Sequence, residues 1–365
     1  MILFFYLVTV TLGISLSSTY YLVPVFMEQL GYSDTLIGIM GSIVSLPYLM
    51  INLLARHTIG RLRDSRAIAI ACVCAALSAS ILLNSGDLLP ILIAEVMIGV
   101  ATSFYFPLGE IMISGIRDEV KRRRAFGLFG TSWTSGFMLG PALSGIAINS
   151  VGAQASFYVP LVASLTSLPL SFLQNLPLEK QFPTSTSGGR GLITPAHLAV
   201  ALYTMALSTI VMAFAGLAAG RGVSPTLLAL AYSVYGLSRM VAFLSLRNLP
   251  FFGTQMGATT AALITSFALL SLTLSEDYLY PVIFAAIGAS ATLYVSATFL
   301  SMLGSFGRDA PSAVGRFESC VSIGFLIGPG VSGAISDNIG FTEMLVTNGL
   351  LALSAGVLSA KRSLR

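Results

Sequence analysis

Charge is scarce in this sequence. Of its 365 residues only 9% are Asp, Glu, Lys or Arg, whereas a soluble domain carries about 25% to keep its surface hydrated. So few ionic groups cannot cover one large water-facing surface, which excludes a soluble globular chain. Histidine is almost missing: His57 and His197 are the two, too few and too separated for a His-based metal site. His57 falls in a basic loop, and His197, at the start of an apolar run, reads as interfacial. The three cysteines, Cys72, Cys74 and Cys320, sit inside apolar runs and offer no disulfide framework. Lysine occurs only as Lys121, Lys180 and Lys361, after Val120, Glu179 and Ala360. A phosphate-binding loop needs Gly-Lys-Ser/Thr, so the chain holds no ATPase and must draw its energy from a gradient. No Ser-His-Asp set or paired carboxylates stand out within the apolar runs. An enzyme is therefore not expected, nor are a cofactor or a metal.

Apolar residues are what the chain has in excess: 55% of it is hydrophobic, with a mean hydropathy of +0.86. They fall in blocks of roughly 18–25 residues, enough for a helix to cross a hydrocarbon core of ~30 Å. A closed β-barrel would need short alternating segments instead. Twelve spans are expected, near 2–26, 35–55, 67–85, 88–114, 124–148, 155–176, 196–219, 225–246, 252–274, 279–303, 312–334 and 342–360. Gly, Pro, Asn or Asp marks most breaks, as at Gly31–Asp34, Asn84–Asp87 and Asp337–Gly340. The first run has no basic region before it. No small-residue cleavage site follows Ile2–Val10 before apolar residues resume through Phe26, so it reads as a span and not a secretory signal.

Basic residues give the orientation. With the N-terminus cytoplasmic, the inner breaks hold 17 of the 19 Lys and Arg, from Arg56, Arg61 and Arg63 through the Arg122–Arg124 cluster to Arg365. Arg221 falls outside and Arg239 lies within a span. This obeys the positive-inside rule and puts both termini in the cytoplasm of a cell-membrane protein. One missed or invented helix would scramble the alternation. The net charge of +4 is thus topological and makes no case for nucleic acid.

The chain also repeats itself. Shifted by 188 residues, Gly127–Gly152 lies on Gly315–Gly340 without a gap, and nine of 26 positions match. They include Gly136/Gly324, Gly140/Gly328, Pro141/Pro329, Ser144/Ser332 and Gly145/Gly333. A shift of 191 lays Gly31-Tyr-Ser-Asp-Thr-Leu on Gly222-Val-Ser-Pro-Thr-Leu. Six spans followed by six entering from the same side make a parallel repeat about the membrane normal. The expected fold is therefore an all-α integral membrane protein of two six-helix bundles, 1–177 and 196–365. A short polar cytoplasmic linker, 178–195, joins them.

With these features the sequence resembles the major facilitator superfamily over essentially its full length. The most specific match is the Gly-x-Leu-x-Asp loop between spans two and three, here Gly60-Arg61-Leu62-Arg63-Asp64-Ser65-Arg66, without the usual second Gly. A second closes span four: Glu110, six residues, then Arg117. The resemblance implies a cytoplasmic charge network that locks an outward-facing state. In it Asp64 would face Arg117 and the N-terminus of helix eleven, with Glu318 as a partner for Arg61 or Arg63. The third match is Gly136-x-x-x-Gly140-Pro141-x-x-Ser144-Gly145 in helix five, similar to an antiporter motif. Because Gly324-x-x-x-Gly328-Pro329-x-x-Ser332-Gly333 repeats it in helix eleven, it reads first as a packing seam or hinge.

Helices one, four, seven and ten line the cavity in this superfamily. The resemblance therefore makes candidates of Ser15 and Ser18, Thr102, Thr204 and Ser208, and Ser290, Tyr294 and Thr298, each set at helical spacing. Two ionisable residues carry more. A carboxylate at membrane depth costs several kcal/mol and is usually functional, so Glu95 is the candidate for proton coupling; family exporters place an Arg four residues before the Gly, here Gly99. Arg239, mid-span, would bind an anionic substrate or pair with Glu318 or Glu95. The leading expectation is a secondary transporter of a small molecule, proton-coupled, working as a monomer in the lipid bilayer. A membrane-embedded lipid enzyme and a non-transporting receptor or scaffold are the alternatives. The helix-five motif hints at drug export and the Glu110–Arg117 spacing at sugar porters, so substrate and direction stay open.

Overall fold

In hydrocarbon every backbone polar group must find its partner within the protein. The computed structural model describes residues 2–53, 64–84, 86–114, 116, 118–173, 195–245, 254–306 and 310–361, and helices meet that demand throughout; no strand occurs among them. Before the expected linker come α1 (Ile2–Gln29), α2 (Asp34–Ile43), α3 (Ser45–Leu53), α4 (Asp64–Asn84), α5 (Leu88–Ser114), α6 (Glu119–Val151) and α7 (Tyr158–Phe172). After it come α8 (Pro195–Met212), α9 (Phe214–Ala219), α10 (Pro225–Ser245), α11 (Gln255–Ser271), α12 (Tyr280–Phe306), α13 (Ala310–Asn338) and α14 (Phe341–Lys361). The linker itself lies outside the described residues, except for Pro195 at the start of α8.

Ten stretches among the described residues are long and apolar enough to cross a membrane, with α2 and α3 counting as one. α6, whose first turns carry Glu119 and Lys121–Arg124, and the 17-residue α11 fall outside that group but pack among the others. Span two is one apolar run in sequence yet two helices in space. Pro47 has no N–H to offer the carbonyl of Ile43, so the ladder breaks at Val44. The carbonyl of Val44 then packs directly on Gly99 of α5, where a side chain would collide with it. Side-chain oxygens of Ser33, Asp118 and Thr254 accept N–H groups of Leu36 (3.3 Å), Lys121 (2.8 Å) and Gly257 (3.1 Å), capping α2, α6 and α11.

Packing repeats as the sequence does. α1 lies against α6 and α7, and α4 against α5 and α7; α8 lies against α13 and α14, and α11 against α12 and α14. Between the two sets run two long seams, α2 and α3 on α13, and α6 on α10, with α1 meeting α9. The glycine motifs explain the close approach. A Cβ on Gly136 would lie 2.6 Å from backbone atoms of Gly13 and Ile14, and one on Gly324 2.7 Å from the carbonyl of Ala201. Ser17 donates to the carbonyl of Gly136 (3.0 Å), and Ser208 to that of Gly324 (3.3 Å), the same bond in each repeat. Gly140 packs on Ser17 and Gly328 on Ser208, while Gly145 meets Ala229 of α10 and Gly333 meets Gly38 of α2. The first two glycines thus close a seam inside each bundle and the last closes a seam between bundles. Pro141 and Pro329 sit within helices that continue through them. Large apolar side chains such as Phe267, Val282 and Ile146 stay mostly exposed on the outside, as a lipid-facing surface requires.

Candidate functional site

At the Gly31 end of the bundle, charges hold the seam of α2 and α13. Arg221 Nη1 lies 2.7 Å from Asp34 Oδ2 and donates to the carbonyl of Leu217 (2.8 Å), and Nη2 donates to Ser336 Oγ (2.9 Å). Ser336 in turn donates to Asp34 Oδ2 (2.6 Å), and the guanidinium sits 4.7 Å from the centre of the Phe341 ring. Asp337 accepts the N–H groups of Asp34 (3.1 Å) and Thr35 (2.8 Å), placing an anion at the N-terminus of α2. Beside it, Tyr21 donates to the carbonyl of Pro225 (2.5 Å), and Asn149 Nδ2 to Thr226 (2.9 Å). Sequence reasoning passed over this clasp: Asp34 and Asp337 served only as break markers, and Arg221 only as the basic residue on the wrong side. That exception was the available signal.

Arg239 is buried between α10, α6 and α12. Its Nη1 donates to the Tyr235 hydroxyl (2.9 Å) and its Nε to Thr292 Oγ1 (3.3 Å). The guanidinium carbon is 4.4 Å from the centre of the Trp133 ring and 5.3 Å from that of Tyr235. Among the described residues no carboxylate forms an ion pair with it, so neither Glu95 nor Glu318 is its partner here. Nearby, Tyr203 and Tyr294 stack with ring centres 3.7 Å apart, and hydroxyls link Tyr203 to Thr265 and Thr265 to Ser290, each at 2.8 Å. The space between Ser17, Tyr20, Phe137, Ile210, Tyr232 and Tyr235 amounts to only about 10 Å³, too little for a solute.

The other candidates distribute as follows. Glu95 is buried on α5 with Tyr20 as an electrostatic neighbour, and Tyr20 hydrogen-bonds Thr102 at 2.9 Å. Ser15 and Ser18 on α1 are buried with unpartnered hydroxyls. Thr204 and Ser208 turn toward the glycines of α13, and Thr298 bonds the carbonyl of Tyr294 (2.8 Å) and lines a cavity of about 30 Å³ with Val200 and Ser359.

At the opposite end, Glu110 of α5 and Glu318 of α13 are buried and hydrogen-bonded to each other. The Tyr48 hydroxyl of α3 donates to Glu318 Oε2. The basic partners expected for these acids, Arg117 for Glu110 and Arg61 or Arg63 for Glu318, lie outside the described residues, within which the two acids meet one another. Gly60, Leu62 and Arg117 lie outside the described residues, as do Arg61, Arg63 and the side chain of Asp64; Arg66 is exposed. Tyr48 and Asn52 carried no warning in the sequence, because a tyrosine or asparagine in an apolar run is ordinary.

Comparison with known proteins agrees with this architecture. The family model of the Major Facilitator Superfamily matches residues 4–244. The crystal structure of the human organic anion transporter MFSD10 (TETRAN) superposes with a TM-score of 0.73 at 17% identity, covering 97% of this chain and 98% of that one. A bacterial homolog of the human lysosomal transporter Spinster, in an inward-facing and occupied conformation, gives 0.67 at 14% identity, covering 99% and 96%. No curated protein matches in sequence. At such identities the two structures establish likeness of fold.

Proposed function

This chain belongs to the major facilitator superfamily, and on that premise we propose that it is a proton-coupled secondary transporter that carries a small organic anion by alternating access. The observation that carries the substrate reading is Arg239: a guanidinium, always charged, buried mid-span and paired with rings and hydroxyls instead of an acid. Trp133 and Tyr235 hold its plane by cation–π contact, leaving its fork suited to a carboxylate. The human transporter of similar fold is an organic anion transporter. Glu95 is the proposed proton carrier, and twelve spans with both termini cytoplasmic in the cell membrane complete the reading. The chain is taken to work as a monomer, one bundle rocking against the other along the seams of α2 and α3 with α13 and of α6 with α10.

Proteoliposomes loaded with buffer and given radiolabelled benzoate, lactate or succinate, with and without a pH gradient, test it. At least one anion should accumulate under the gradient, Arg239→Ala should abolish the flux, and Arg239→Lys should retain part of it. Glu95→Gln should keep exchange but lose accumulation. Wild-type flux in Arg239→Ala would remove it from the substrate site, and unchanged coupling in Glu95→Gln would sink that assignment.

A further inference from the structure

We propose that Glu110, Glu318 and Tyr48 form a proton-binding site shared between the two bundles, and that the proton it holds keeps the Glu318 end of the molecule closed. A carboxylate only accepts hydrogen bonds. Two carboxyl groups bonded to each other therefore need one proton between them, and Glu110 and Glu318 are so bonded. Each comes from a different bundle, α5 and α13, so the proton bridges the moving parts. Tyr48 donates from α3 to Glu318 Oε2 and leaves the other carboxyl oxygen, Oε1, for Glu110.

An independent observation points to the same place. Asn52, one turn beyond Tyr48 on the same face of α3, is buried with neither side-chain amide atom partnered, and its main-chain carbonyl lies 3.9 Å from a Cβ built on Gly315, one turn from Glu318. Glu110 Oε2 is likewise buried and unpartnered. Such unpartnered polar atoms can take a bridging water where there is room for one.

Among the described residues, the titratable and charged groups around the pair are these. Tyr48 faces it from α3, and Arg316 and Cys320 flank Glu318 on α13. From α12, Phe299 packs on Phe317 and contributes no charge. Tyr20 on α1 is the next titratable group out, an electrostatic neighbour of Tyr48 on one side and of Glu95 on the other. Loss of the proton to water leaves two carboxylates side by side in a buried setting, an arrangement that like charge disfavours. The seam at this end then parts. What the proton drives rests on the transporter reading above; whether the pair holds one does not.

The test uses the full-length protein in lipid nanodiscs. On a Glu95→Gln background, which removes the band of the other buried acid, an infrared difference spectrum between acidic and alkaline buffer should show a protonated-carboxyl C=O stretch that disappears when Glu110→Gln or Glu318→Gln is added. Hydrogen exchange of residues 314–322, corrected for intrinsic rates, should rise about tenfold per pH unit above the transition in wild type. In the Gln variants, whose amide N–H replaces the proton, it should stay low. A band that persists in both variants, or exchange that keeps its wild-type pH dependence in them, would overturn the proposal. Should the Gln variants fail to fold, Tyr48→Phe keeps both acids and should shift the band; an unmoved band counts against the site. Absent anion flux with an intact band would sink the transport reading alone, whereas flux without the band would sink the proton site alone.

Discussion

The two seams between the bundles are copies of one another, yet they carry opposite side chains. The shift that lays Gly31 on Gly222 also lays Tyr48 on Arg239 and Asn52 on Phe243, and the shift that lays Gly127 on Gly315 lays Gly130 on Glu318. Where α3 and α13 meet through Tyr48, Asn52 and Glu318, α10 and α6 meet through Arg239, Phe243 and Gly130. One seam has an acid and a hydroxyl; the other has a cation, and an aromatic ring pressed onto a glycine. The same holds at the Gly31 end, where Asp337 accepts from the N–H of Thr35 and its repeat equivalent Asn149 donates to Thr226. Backbone geometry was kept and side-chain charge was divided, an acid at one bundle interface and a guanidinium at the other, which is the basis of the proton and anion sites proposed above.

The comparison breaks most completely at Arg239. Arg239→Ala should cut uptake of the transported anion on the order of 100-fold, equivalent to roughly 3 kcal/mol for a buried charged contact, while Tyr48→Ala leaves anion affinity near wild type. Next come the glycines that both repeats share. Gly136→Leu and Gly324→Leu should each destabilise the fold by about 3 kcal/mol, since the incoming Cβ meets backbone that cannot move aside; thermal unfolding of the two variants should drop alike. Unequal losses would show that the seams differ in packing as well as in charge.

Smaller effects separate the two clasps at the Gly31 end. Arg221 and Asp34 are 34% and 14% exposed, so Arg221→Ala should loosen that end by only about 1 kcal/mol, near fivefold in maleimide labelling of a Val223→Cys reporter. High salt should mimic it in the unmutated clasp. Asn149→Ala should change labelling roughly two- to threefold, with no dependence on salt. A salt-sensitive Asn149 or a salt-indifferent Arg221 would erase the division between charged and neutral seams.

Much of the fold was legible because bilayer physics writes it into composition. Run length, the sorting of Lys and Arg and the paired glycine motifs do not depend on which face of a helix points where. Site residues do depend on it. Thr204 and Ser208 were candidates for a cavity wall, but the face they share is the one that buries Gly324 and Gly328. Glu110 was matched to Arg117 by its local spacing and Glu318 to Arg61 or Arg63 through the family resemblance, and nothing in the sequence joins the two acids, 208 positions apart, to each other. Arg239 was expected to pair with an acid or a substrate, and only the placement of Trp133 and Tyr235 removed the acid.

The sequence by itself therefore determined that this protein is a helical membrane protein made of two repeated bundles, because apolar length, loop charge and repetition are properties of the chain. Tertiary structure alone decided which polar residues meet. Helix rotation and the choice of facing partner come from packing across the seams, and those contacts turned two isolated glutamates into a pair and, among the described residues, left one arginine without an acid.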